Sequence, residues 1–249
     1  MDDGALLEAA ADNLAGWHEC SVGALGFASA TGPWWWTSPS PGPWIYFTAI
    51  LRRVPNGRPE ITAALDALRA HLDDPAGSYE AVCDSFGVLN LERLDLARRM
   101  TGLWYGRPAG PIPREPDLDD LIITEVRSEA DLAAFEQATC AAFAAPQPLT
   151  PFEIHSPGIL QDPAMHVIIG RVGDAVVSGA MAYRAAGVLG IYGIGTVPGH
   201  RRQGHASALT RACLAIEPML PATLQPSIEA TGLYRRLGFT EVGRFTHWG

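Results

Sequence analysis

The sequence predicts a mixed α/β fold, in which helices cover a central sheet. Segments typical of strands and of helices alternate through residues 121–249. A turn with the pattern Arg201-x-x-Gly204-x-Ala206 separates one strand-like segment from the helix-like segment after it. The chain has 249 residues, of which 47% are hydrophobic and 18% charged, so it carries enough apolar material for a sizeable core.

Two domains are predicted from the length and from a proline-rich stretch. Residues 106–120 contain Pro108, Pro111, Pro113 and Pro116 together with several acids, which is typical of a linker. We place a boundary there, with one domain at 1–117 and another at 118–249.

The elements of the second domain follow from hydrophobic periodicity. One helix has Leu132, Phe135, Ala142 and Phe143 on a single face, with Thr139 between them. In chain order we predict a strand at 121–126, a helix at 129–143, a proline-rich loop, a strand pair at 166–172 and 175–183, a strand at 188–197, a helix at 204–217, a short strand starting at Leu224, a helix containing 233–237 and a final strand at 241–248.

The first domain has weaker signals. Helical periodicity predicts helices at 6–17, 61–72 and 91–100, and an apolar run predicts a strand at 44–51. No motif that carries chemistry, and no phosphate-binding turn, is found in this half. We therefore expect it to bind no cofactor of its own.

Composition excludes several classes of function. The formal net charge is −9, and residues 1–120 carry 17 acids against 9 arginines, so nucleic acid and anionic membrane are not expected partners. The sequence contains no lysine, which excludes a lysine base or Schiff base. Four scattered cysteines (Cys20, Cys83, Cys140 and Cys213) form no C-x-x-C pair, so neither a metal site nor a disulfide framework is expected, and a reduced cytoplasmic location fits.

The turn at residues 196–206 is the segment that predicts chemistry. A turn of this kind before a helix directs successive backbone N–H groups into one concavity, and the helix N-terminus adds partial positive charge. Gly204 allows close approach of a ligand, and Arg201 and Arg202 add full charges at the rim. Such a site suits a pyrophosphate. About 30 residues further on lies Leu233-Tyr234-x-x-x-Gly238-Phe239.

With this order of motifs, residues 121–249 resemble the GNAT family of N-acetyltransferases. Arg201, Arg202, Gln203, Gly204, His205 and Ala206 match the pyrophosphate loop of that family. The stretch Ile194, Gly195, Thr196 and Val197 matches its splayed central strand, whose backbone pairs with the pantetheine arm of acetyl-CoA. Tyr234 matches the usual general acid. Ser227 stands where many members have an asparagine, and it can still hydrogen-bond the cofactor.

The resemblance implies acetyl-CoA (CoA) as cofactor and direct transfer of the acetyl group to an amine. A backbone N–H near Val197 would stabilise the negative charge that develops on the thioester oxygen. Tyr234 would protonate the leaving thiolate. The residue that deprotonates the amine stays open among Glu153, His155 and Tyr192, of which the first two lie in the loop that lines the acceptor site in the family.

The resemblance leaves the acceptor open. We expect a primary amine of a small molecule, such as an antibiotic or a metabolite, in a cleft between the two domains. The alternatives are the amino group of a protein, or a CoA-binding sensor without turnover. The accessory domain at 1–117 is either a degenerate copy of the catalytic domain or an unrelated cap. A monomer or a homodimer is expected.

Overall fold

The computed structural model describes residues 1–39, 43, 45–73, 81–116, 118–146 and 150–249. The helices are α1 (Asp3–Ala24), α2 (Gly57–Leu72), α3 (Glu129–Ala142), α4 (His205–Ile216) and α5 (Thr231–Arg236). The strands are β1 (Ala30–Thr31), β2 (Trp35–Thr37), β3 (Ala49–Leu51), β4 (Val82–Asp84), β5 (Arg98–Arg107), β6 (Leu121–Glu125), β7 (Met165–Val172), β8 (Ala175–Ala185), β9 (Val188–Thr196), β10 (Ala222–Leu224) and β11 (Thr240–Trp248). Short 3₁₀ turns lie at Leu91–Leu94, Pro157–Gln161, Pro198–His200 and Ile228–Ala230.

All the strands of the described residues belong to one open sheet. Their order is β1-β2-β3-β4-β11-β5-β10-β9-β8-β7-β6. The pairs β3–β4 and β9–β10 are parallel, and the other neighbours are antiparallel. The predicted mixed α/β fold is confirmed.

The two halves of the chain exchange strands at the centre of this sheet. Strand β5 comes from the first half but lies between β10 and β11 of the second half. Strand β11, at the end of the second half, lies between β5 and β4. The main-chain hydrogen bonds of each half therefore depend on the other half.

Local sequence explains where several elements begin and turn. The carboxylate of Asp2 accepts a hydrogen bond from the Ala5 N–H (2.8 Å) and caps α1, and Ser128 caps α3 through the Asp131 N–H (3.2 Å). Strands β8 and β9 are joined at Ala186-Gly187, both with positive φ (52° and 75°), as a two-residue hairpin requires. The apolar stretch at 175–197 therefore folds into two strands, as predicted.

Apolar cores cover both faces of the sheet. On one face, α1 and α3 pack over the sheet through Leu14, Trp17 and Phe135. On the other face, α4 and α5 pack through Leu209 and Tyr234. Successive residues of β9 therefore point in turn to the face covered by α1 and α3 and to the face covered by α4 and α5. Within the described residues, no helix combines the length and the hydrophobicity needed to span a membrane.

Some predicted elements differ from the structure. The predicted helix at 91–100 is wrong, because a 3₁₀ turn ends at Leu94 and β5 begins at Arg98. The short strand ends at Leu224 rather than starting there. Phe143 was expected on the buried face of α3 but is 50% exposed, since the helix has ended at Ala142. Trp44, Asp117 and Pro148 lie outside the described residues, so the predicted domain boundary itself stays a prediction.

Candidate active site

The central strands separate next to the stretch at 194–197 that matches the splayed strand of the GNAT family. Strand β10 pairs with β9 only at Leu189 and Gly190. Beyond them, β9 continues to Thr196 along β8 alone, with a bulge in which Gly193 and Ile194 oppose the single residue Ala180. Gly193 has a φ of 59°, and a Cβ there would meet open space. The backbone of Ile194, Gly195 and Thr196 thus borders a gap in the sheet.

The turn that follows β9 carries free backbone donors. The N–H groups of Arg202, Gln203 and Gly204 have no acceptor among the described residues. The first residues of α4, beginning with His205 and Ala206, add the unpaired N–H groups of a helix N-terminus. Gly204 has a φ of 89°, which favours glycine. These groups form a cradle for an anion, and the residues fit a pyrophosphate.

Two of the predicted binding groups are already engaged within the protein. The Arg201 guanidinium donates to the Ala142 carbonyl (2.6 Å) and the Thr196 carbonyl (3.2 Å), so it ties the end of α3 to the end of β9. The Val197 N–H donates to the Val177 carbonyl (2.9 Å), and it is not free to stabilise a charge on a thioester oxygen. A donor for the thioester oxygen near Val197 would have to be another backbone N–H, and that expectation stays a prediction.

Tyr234 and Ser227 lie beyond the gap, around α5. Tyr234 is buried among the apolar residues of the α4 face, with its ring edge-to-face on Phe239 (5.9 Å between centroids). Burial raises the pKa of its phenol, so the hydroxyl is protonated at neutral pH. Ser227 is exposed at the 3₁₀ turn before α5.

A cavity of about 340 Å³ lies on the opposite face of the sheet, between the two halves of the chain. Helix α1 contributes Trp17 and His18 to its wall, and Phe47 comes from the segment before β3. The second half contributes residues of α3, the loop at 154–155 and the bulged part of β9, including Tyr192 and Gly193. The cavity therefore meets the gap in the sheet at the bulge.

Tyr192 is fixed from the first half of the chain. Its ring stacks on Trp17 (4.6 Å between centroids), and its hydroxyl donates to the Asn13 Oδ1 (2.6 Å). The Asn13 side-chain amide donates to the carbonyls of Tyr183, Ala185 and Val188 at 3.0–3.1 Å, which uses its remaining capacity. Burial raises the pKa of the Tyr192 phenol well above its ordinary value, so Tyr192 is a poor candidate for the base.

His155 lines the cavity, and Glu153 does not. The His155 Nδ1 lies 3.0 Å from the Tyr46 hydroxyl, which also lies 3.0 Å from the Ile154 carbonyl oxygen. A phenol has one proton, so both contacts are hydrogen bonds when Tyr46 donates to the Ile154 carbonyl and accepts from the His155 Nδ1–H. The Nε2 atom is then an acceptor. Glu153 is exposed, and its Oε1 accepts from the N–H and hydroxyl of Thr150.

Glu136 is a residue of the site that the sequence did not reveal. It is 1% exposed on α3, and its carboxylate accepts backbone hydrogen bonds from Phe152 (2.8 Å), Ile154 (2.6 Å) and His155 (3.1 Å). A buried carboxylate with several N–H donors holds a loop firmly. A glutamate on the apolar face of a predicted helix was the available signal.

Part of the chain matches a known protein family. Residues 132–239 match the family described as "Acetyltransferase (GNAT) family". These residues form a GNAT acetyltransferase domain. Its enzyme class is accordingly that of an acyltransferase. No curated protein matches the chain.

Solved structures share the fold along nearly all of the chain. A GCN5-related N-acetyltransferase from Kribbella flavida is 19% identical over 94% of both chains, with a TM-score of 0.64. A putative acetyltransferase of the GNAT family from Novosphingobium aromaticivorans is 17% identical over 88% of this chain and 89% of its own, with a TM-score of 0.57. At these identities the likeness shows the fold, which extends beyond the GNAT domain into the first half.

Two further features concern metal binding and the histidines beside the anion cradle. Within the described residues, no group of three or more His, Cys, Asp or Glu side chains could hold a metal ion. His205 is buried, and its ring lies 5.9 Å from that of His200. Burial, followed by the neighbouring His200, lowers the pKa of His205, so it adds no full positive charge to the anion cradle at neutral pH.

Proposed function

We propose that this protein transfers an acetyl group from acetyl-CoA to the primary amine of a small molecule held in the cavity. The observation that carries the proposal is the meeting of the cavity with the gap between β9 and β10 at Tyr192 and Gly193. An acyl group on one side of the gap and an amine on the other would come together there. The cavity walls are largely buried, which favours a small molecule over a protein surface.

Each residue has a task in this reaction. Bound acetyl-CoA would supply an acetyl thioester, and the amine nitrogen would bond to its carbonyl carbon as the carbon–sulfur bond breaks. The free N–H groups of residues 202–206 would hold the pyrophosphate. The backbone of residues 194–196 would pair with the pantetheine arm, and the exposed Ser227 hydroxyl, which contacts the Glu229 carboxylate, would accept a hydrogen bond from the cofactor. Tyr234 would give its proton to the departing sulfur.

The amine must lose a proton as it attacks. Burial lowers the pKa of His155 to about 3, so its Nε2 is unprotonated at neutral pH. It can accept a hydrogen bond from the amine and position the nitrogen; because so weak a base does not keep the proton, the proton would pass on to solvent water. Of the three candidates, His155 combines a place in the cavity with a free lone pair.

Calorimetry with acetyl-CoA tests the cradle, and release of free thiol in the presence of an amine tests turnover. Gly204→Ala adds only a Cβ, at a φ that costs an L-residue roughly 1–2 kcal/mol, so affinity should fall about tenfold. Gly204→Glu adds the same strain and a like charge, and affinity should fall by a further factor of about 100 or more.

Equal acetyl-CoA affinity in Gly204→Glu and Gly204→Ala would refute the placement of the pyrophosphate. Tight acetyl-CoA binding with no thiol release, across a broad panel of amines, would favour a CoA-binding sensor instead.

A further inference from the structure

The part of the cavity wall that the described residues form has no fixed charge. Among the described residues that line it, none is an aspartate, glutamate or arginine, and the sequence has no lysine. Glu136, behind the wall, is 1% exposed, and three backbone N–H groups occupy its carboxylate. A ligand with several positive charges would find no counter-ion here, and burying an unpaired charge is costly.

Aromatic rings form much of the wall. Trp17 and Tyr192 are stacked at one side, and Phe47, Phe135 and Phe143 contribute further rings. Flat, rigid ring surfaces bind an aromatic ligand through stacked or edge-to-face contacts. The volume of about 340 Å³ is near the lower end for ligand pockets, so the ligand must be small.

Three of the polar groups of the wall are imidazoles, and the other polar side chains there, such as those of Thr139 and Gln225, carry no charge either. Burial lowers the pKa of His18 and of His155 to about 3 and that of His247 to about 4. The His18 Nδ1 lies 2.8 Å from the Leu14 carbonyl, which can only accept, so the proton is on Nδ1 and Nε2 is an acceptor. The His18 Nε2 has no partner among the described residues. This atom is buried, as is the His247 Nε2, so the acceptor open to an amino group in the cavity is the His155 Nε2.

From these three features we propose that the acceptor is a small aromatic monoamine, and that the cavity rejects polyamines and polycationic aminosugars. This proposal rests on the proposed function. The aromatic part lies between the rings from α1, β9 and α3, and the amino group donates to an imidazole Nε2. A second ammonium group would have to be buried against neutral walls.

Thiol-release assays with phenethylamine, cadaverine and spermidine test this selectivity in the unmodified protein. We expect kcat/KM for phenethylamine to exceed that for either polyamine by about 100-fold or more. Binding is measured separately by calorimetry in the presence of saturating CoA, so that selectivity is seen without turnover. Comparable binding of spermidine and phenethylamine, or no binding of phenethylamine, would overturn the proposal.

A pair of variants tests the physical reason. Ile45 is a half-buried residue of the cavity wall. Ile45→Glu introduces the missing counter-ion, and Ile45→Gln introduces the same bulk without the charge. We expect cadaverine binding to rise about tenfold or more in Ile45→Glu relative to Ile45→Gln. Equal cadaverine affinity in the two variants, with acetyl-CoA affinity retained as a sign of folding, would contradict the charge argument.

Failure of the proposed function is distinguishable from failure of this inference. If phenethylamine binds selectively with CoA present but no amine releases thiol, the cavity has the predicted selectivity and the protein is not an acetyltransferase of these amines. If thiol is released with polyamines as readily as with phenethylamine, acetyl transfer stands and the aromatic-monoamine assignment is wrong.

Discussion

Replacing Glu136 by glutamine tests how the acceptor side of the site is held in place. The Glu136 carboxylate accepts one backbone N–H at Oε2, from Phe152, and two at Oε1, from Ile154 and His155. Glutamine has nearly the same shape but a single carbonyl oxygen. If that oxygen takes the place of Oε1, the amide nitrogen faces the Phe152 N–H, and two donors oppose each other.

The expected loss of stability follows from these three bonds. A hydrogen bond to a charged group contributes about 1.5–3 kcal/mol, and a neutral one about 1 kcal/mol. Glu136→Gln loses one such bond and weakens two others, while it relieves the cost of burying a charge. We expect a net loss of about 3 kcal/mol in the free energy of unfolding, which lowers the melting temperature of a chain of this size by roughly 6–12 °C.

The assay is thermal unfolding followed by kinetics with an amine acceptor. Glu129→Gln, an exposed change in the first turn of the same helix, is the matched control and should cost less than about 1 kcal/mol. Because Ile154 and His155 line the cavity proposed to hold the acceptor, Glu136→Gln should raise KM for the amine more than KM for acetyl-CoA. A melting temperature within about 2 °C of the parent, with both KM values unchanged, would refute the reasoning.

Two further predictions concern Tyr234 and His18. Tyr234→Phe keeps the buried ring and removes the proton donor, so acetyl-CoA affinity should hold while kcat falls by roughly 10²–10⁴; an unchanged kcat, with chemistry shown to limit the rate, leaves Tyr234 a core residue. His18 has a folded-state pKa of about 3 against an ordinary value of 6.5, so between these values only the unfolded chain takes up the proton. The contribution of neutral His18 to the free energy of unfolding is therefore complete above pH 6.5 and is lost as the pH falls towards 3. The parent should therefore lose about 2 kcal/mol more than His18→Gln between pH 7 and pH 5 in urea unfolding, and identical pH dependence would contradict the burial of His18.

The sequence predicted the parts of the proposed site that depend on local structure. The turn at 201–206 and the following helix are contiguous in the chain, so their pattern predicts their geometry. Tyr234 lies on a helix close to a glycine turn that ends it, which is also a local signal. The gap between β9 and β10 could be predicted only through the family resemblance, because no local pattern marks where two strands separate.

The rest of the site depends on contacts between residues far apart in the chain. Tyr46 meets Ile154 and His155, and Asn13 meets Tyr192, across more than 100 positions in each case. Nothing in the neighbourhood of Asn13 indicates its partner. Strand β5 was mistaken in part for a helix for the same reason, since its place is set by β10 and β11 rather than by its own periodicity.

The strand exchange bears on the origin of the first half. In the second half, β9 is followed by α4, the parallel strand β10, the short helix α5 and then β11. In the first half, β3 is followed by α2, the parallel strand β4 and then β5. In each half the last strand leaves to pair with the short parallel strand of the other half.

This correspondence favours a degenerate copy over an unrelated cap, since a cap would have no reason to repeat the order and the exchange. We therefore propose that the first half is a degenerate copy of the GNAT domain, which lost its phosphate-binding turn but still contributes its strands to the shared sheet. Its Arg107, at the end of β5, donates to the Leu237 carbonyl (2.9 Å) in the turn that follows Tyr234. Cutting the chain near residue 117 would remove this contact, the strand between β10 and β11, and the α1 wall of the cavity. The proposed acyltransferase site is thus formed by both halves, although the turn proposed to bind the pyrophosphate belongs to one.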